Sequence, residues 1–137
     1  MSVKMKTYPF LTLPMALIIA RVMTAVLFMA HAVVRIFNGS IPQFGQFMTH
    51  QGFPFGEGVV WVITICEIVA GLLLIANRFV RIAATGLFIV AVGGVVLIHR
   101  HLGWFVGEHG TGGSEYSVAL MVLLLVVAAS DGEKINK

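Results

Sequence analysis

Charge is scarce in this chain. Only 11% of its 137 residues are Asp, Glu, Lys or Arg, against about 25% in an ordinary soluble domain. With 58% hydrophobic residues and a mean hydropathy of +0.97, the composition excludes a soluble globular domain and leaves a membrane protein of one domain. There is a single cysteine, Cys66, which excludes an intrachain disulfide and a C-x-x-C redox pair. It falls within an apolar run, where a thiol behaves as a small hydrophobe, so it says nothing about redox compartment. Basic patches interleaved with aromatics are absent, which excludes nucleic acid as a partner. No haem-attachment or iron–sulfur motif is present, so the chain has no electron carrier of its own.

What the chain does have is four apolar runs, at about 14–37, 57–76, 82–99 and 114–130. Each is long enough for a hydrocarbon core of about 30 Å. Lys4 and Lys6 ahead of the first run imitate a signal peptide. The run exceeds an h-region of about 7–15 residues, and Arg21 interrupts it, so an uncleaved membrane helix is expected. Residues 38–56 are rich in Gly, Pro and Asn and read as a loop. Its Phe44, Phe47, Met48, Phe53 and Phe55 place it against the helices or the interface. With four spans, both termini share a side with six Lys and Arg (Lys4, Lys6, Arg78, Arg81, Lys134, Lys137), against two opposite (Arg35, Arg100). The positive-inside rule makes the first side cytoplasmic. The expectation is an all-α, integral membrane four-helix bundle, up-down-up-down, with both termini cytoplasmic and residues 1–137 forming one domain.

Ionisable groups inside a span seldom face lipid, because their desolvation is costly there. Arg21 lies roughly 10 Å into the first span and Glu67 roughly 14 Å into the second, at a rise of ~1.5 Å per residue. Their depths predict an Arg21–Glu67 pair, since a guanidinium fork matched to a carboxylate is the favoured way to bury both. Thr64 and Gly71 share a helical face with Glu67 and turn it inward. Such a pair could simply fix helix register, or it could form the polar floor of a ligand pocket.

The second constellation lies at the opposite, outer end. His31 and Arg35 are a turn apart on the first helix, His99 closes the third with Arg100 and His101 following, and Glu115 opens the fourth. Each has a structural explanation: histidines can sit at the interface with a wet tip, arginines can reach headgroups, and Glu115 after Ser114 suits a helix N-terminus. Together, His31, His99 and Glu115 suggest a shared site that binds a ligand or relays protons. A metal is the weaker alternative, because H-E-x-x-H spacing is absent and His99-x-His101 cannot share one helical face. His50 and His109 lie in loops that the sequence does not place. Gly86 and Gly93 form a small-residue stripe suited to helix packing. On a continuous helix, His99 would point roughly 120° away from Gly93.

These features in order resemble the DoxX family of membrane proteins. The resemblance rests on Arg21, His31 and Arg35 in the first helix, Gly52-Phe53-Pro54 before the second, and Glu67 with Gly71. It continues through Arg81-Ile82-Ala83-Ala84, His99, and Gly113-Ser114-Glu115-Tyr116, and spans about residues 14–131. It implies a bacterial inner-membrane protein associated with redox systems, since the family is named for a small subunit of a thiosulfate:quinone oxidoreductase. The expected ligand is therefore a quinone or another small apolar molecule. His31 and His99 would hydrogen-bond its oxygens, Glu115 would orient a histidine or carry its proton, and Arg21, Glu67, Arg35 and His101 would surround it. Electrons would come from a partner subunit or the quinone itself. A homo-oligomer, a non-catalytic anchor or assembly subunit, and a small transporter or proton pathway are the other readings.

Overall fold

The computed structural model describes residues 9–106 and 113–132. Lys4, Lys6, Lys134 and Lys137, which dominate the charge asymmetry, lie outside the described residues, as do Glu108 and His109. Among the described residues the secondary structure is entirely helical. The helices are α1 (Leu13–Phe37), α2 (Ile41–His50), α3 (Gly56–Ile75), α4 (Val80–Leu97) and α5 (Glu115–Gly132), with a short 3-10 turn at His99–Leu102. Helices α1, α3 and α4 are each long and apolar enough to cross a membrane.

Local chemistry sets the helix starts. The Thr12 hydroxyl caps α1 by accepting from the Met15 N–H at 3.4 Å, and proline occupies the first turn, where no backbone donor is needed. Between α3 and α4, Asn77 (φ 58°) and Phe79 (φ 50°) adopt left-handed backbone, which compresses the connection to Ala76–Phe79. Helix α1 packs on α3 and α5, and α4 packs on the same two neighbours. Leu74, Leu87, Leu124 and Val127 are almost fully buried between them, with Ala25, Ala83 and Ala84 bringing the backbones close. The outward faces are apolar too: Val62, Ile65, Ile82, Val122 and Leu125 are all more than half exposed. A surface of that kind belongs in lipid.

Two expectations change here. Residues 41–50 are a helix and not a loop. Pro42 sits in its first turn, and Gly45 marks where α2 crosses α3. A Cβ on Gly45 would stand 2.6 Å from the Glu57 Cα, and one on Gly56 would strike the Gly45 carbonyl. The loop's expected placement against the helices does hold for its buried side: Ile41 and Met48 pack with Val60. The third span also ends earlier, at Leu97 instead of His99, because Ile98 (φ −123°, ψ −65°) leaves helical geometry.

The α1–α3 register follows from side chains. A Cβ on Gly71 would meet Met29 and the Ala25 carbonyl, while Asn77 meets Arg21 and Thr64 meets Arg35. The two helices are therefore antiparallel. Their ends are not flush, since α1 begins well before the level of the α3 C-terminus.

Candidate functional site

That stagger decides which arginine meets Glu67. The predicted Arg21–Glu67 pair does not form. Arg35 Nη1 donates to Glu67 Oε2 at 3.0 Å and to Thr64 Oγ1 at 2.8 Å. Side chains on a helix lean toward its N-terminus, so the long Arg35 side chain reaches back along α1 to the level of Glu67. Arg21, a turn before Ala25, instead donates from Nη1 to Asn77 Oδ1 at 3.0 Å, beyond the end of α3. Equal depths would pair Arg21 with Glu67 only if the helix ends were flush, and the stagger carries Arg21 past the end of α3.

Arg35 is held on a third side by Phe44 of α2, whose ring centroid lies 5.6 Å from the guanidinium carbon. Its side chain is only 16% exposed and that of Glu67 5%. Both were expected near a ligand, and both line a cavity of about 350 Å³ between the helices. Phe28, Ala91 and Leu120 belong both to the core cluster and to the cavity wall, so they separate the packed and hollow parts of the molecule.

His31 and His99 line the same cavity. The His99 orientation differs from the continuous-helix expectation. Because α4 stops at Leu97, the 3-10 turn brings the imidazole back over α4: a Cβ at Gly94 would lie 3.6 Å from His99 Cδ2. The glycines make the room, and a Cβ at Gly93 would meet nothing within 4 Å. Gly93 is thus a cavity wall and not a packing contact, whereas Gly86 does approach Cys66 at ordinary contact distance. His99 Nδ1 is buried and has no hydrogen-bond partner among the described residues. Burial pushes the His99 imidazole below its ordinary pKa, with the charge of His31 adding to the effect. It is then neutral near neutral pH, with one ring nitrogen a donor and the other an acceptor.

Tyr116, met earlier only within a motif, is a further wall residue. Its ring lies 6.2 Å from that of His31 at a tilt of 54°. Glu115 does not line the cavity. Its carboxylate Oε1 accepts from the Val106 N–H at 2.9 Å, and its own N–H donates to the Trp104 carbonyl at 3.0 Å. These bonds tie the start of α5 to the segment after the 3-10 turn, and so fix Tyr116 one residue on. His101 accepts from Arg100 Nε at 3.3 Å on the exposed side of the turn, away from the cavity. His50 lies at the end of α2 against the α2–α3 crossing. Among the described residues no three His, Cys, Asp or Glu side chains are grouped as a metal would require.

The cavity therefore combines apolar walls with hydrogen-bonding groups from α1, α3, α5 and the 3-10 turn, the general make-up of a small-molecule site. His31 is exposed, as are Ile89 at 65% and Tyr116 at 39%, so the cavity opens at the protein's apolar surface.

Comparison with known proteins finds the DoxX family model matching residues 16–100. No curated protein matches this chain, and no solved structure does.

Proposed function

The chain belongs to the DoxX family, and on that premise we propose that it is a membrane component of a redox system that binds a quinone or similar small apolar ligand. The supporting observation is the cavity in which His31, His99, Arg35 and Glu67 meet among apolar side chains. His31 and His99 hydrogen-bond the ligand's carbonyl or hydroxyl oxygens, and His99 Nδ1, buried without a partner among the described residues, is the more specific of the two. Arg35 and Glu67 form the charged wall, and Glu115 positions Tyr116. Neutral histidine suits coupled proton movement during reduction of a carbonyl oxygen. A partner subunit supplies or removes the electrons.

In this reading the four long helices form an up-down-up-down bundle in a bacterial inner membrane, with both termini cytoplasmic. The apolar outward faces and the antiparallel contacts of α1 with α3 support it. The transporter alternative would centre on Arg21 and Glu67 at mid-depth, and their separate partners weigh against it.

The test is to purify the protein in mild detergent, extract it for quinone, and record its absorption spectrum. Bound ligand is expected in the wild type and lost in His31→Ala and His99→Ala, with both variants still folded. A ligand-free wild type, or retention in both variants, overturns the assignment.

A further inference from the structure

We infer that this cavity selects an uncharged ligand, because the one fixed cation among the described residues of its wall already has its counter-charge there. The inference rests on the ligand-binding reading above and says which molecules that site accepts. Of the described residues lining the cavity, only Arg35 and Glu67 carry charge when the histidines are neutral, and they neutralise each other at 3.0 Å. Arg35 spends only Nη1 on Glu67 and Thr64. Its remaining N–H groups on Nε and Nη2 have no hydrogen-bond partner among the described residues. A guanidinium has five N–H donors and no acceptor, so the cavity offers unused donors without offering unbalanced positive charge.

The distinction governs the choice of ligand. A carbonyl, ester, amide or hydroxyl oxygen can accept from Arg35 while the site stays neutral. An ionised carboxylate would accept the same bonds but bring a second negative charge beside buried Glu67. An unbalanced charge in a water-poor interior is strongly disfavoured. Arg35 thus anchors an oxygen acceptor, while Glu67 keeps anions out. Glu67 is the specificity-determining residue, and Phe44 and Thr64 hold the guanidinium where both effects operate.

Two isosteric probes separate charge from shape: 2-naphthamide, uncharged, and 2-naphthoate, its anionic counterpart. Each is titrated by calorimetry into the full-length protein in detergent near neutral pH. The wild type is expected to bind the amide about tenfold or more tightly than the carboxylate. Glu67→Gln removes the counter-charge, and the ratio should shift toward the carboxylate by about tenfold or more. Equal affinities in the wild type, or tighter binding of the carboxylate, overturn the charge inference while leaving ligand binding standing. Binding of neither probe overturns both. If Glu67→Gln does not fold, the wild-type pair of titrations still decides.

Discussion

The two halves of this molecule are built from the same helices and differ in what fills the space between them. In one half Leu74, Leu87, Leu124 and Val127 interlock with at most 1% exposure, and Gly71 is a glycine because Met29 occupies the space beside it. In the other half Gly93 faces open space, and the helices are held apart around a cavity walled by Arg35, Glu67, His31 and His99. One half is stabilised by many small contacts. The other joins a smaller apolar cluster around Ile41, Met48 and Val60 to the Arg35–Glu67 ion pair and leaves His99 Nδ1 without a partner among the described residues. The proposed ligand site lies in the hollow half.

Breaking the ion pair should have the largest effect on folding. Glu67→Ala leaves Arg35 buried without its counter-charge and should cost about 3–5 kcal/mol, read as a lowered thermal midpoint in detergent. Adding Arg35→Ala should recover part of that loss, because the stranded charge is then gone. A smaller cost for the single variant than for the double would contradict the pairing.

In the packed half, Leu87→Ala should cost about 2 kcal/mol, the low end for such truncations. Within a bilayer the unfolded helix already keeps leucine from water, so the lost term is mainly packing. This variant should bind 1,4-naphthoquinone as the wild type does. Lost binding with an unchanged fold would erase the distinction between the halves.

How much of this was legible beforehand depended on whether a feature is local. The apolar runs and the inward face carrying Thr64, Glu67 and Gly71 follow from composition and helical period, whereas only the shared level of His31 and His99 could be read, from the alternation of the helices. Helix α2 was hidden by Pro42 and Gly45, which read as turn signals. Its buried Ile41, Gly45 and Met48 and half-buried Phe44 nevertheless follow the 41, 44, 45, 48 spacing of an amphipathic helix, and that pattern could have found it. The partner of Glu67 was not legible, because it depends on how far α1 slides past α3. That slide is set by contacts such as Gly71 with Met29, which no single helix encodes. The orientation of His99 was lost for a similar reason: one non-helical residue, Ile98, redirects everything after it.

The smallest expected effect on stability gives the most direct test of the hollow half. Gly93→Leu places a side chain where a Cβ meets nothing within 4 Å, so the protein should fold with little change in thermal midpoint. The measurement is that midpoint, in wild type and Gly93→Leu, as 1,4-naphthoquinone is added. A ligand that binds only the folded state raises the midpoint with concentration, by about 2.7 kcal/mol of added stability at a hundred times its Kd. The wild type should show that rise and Gly93→Leu should stay flat. An equal rise in both proteins would contradict the claim that this cavity is the binding site.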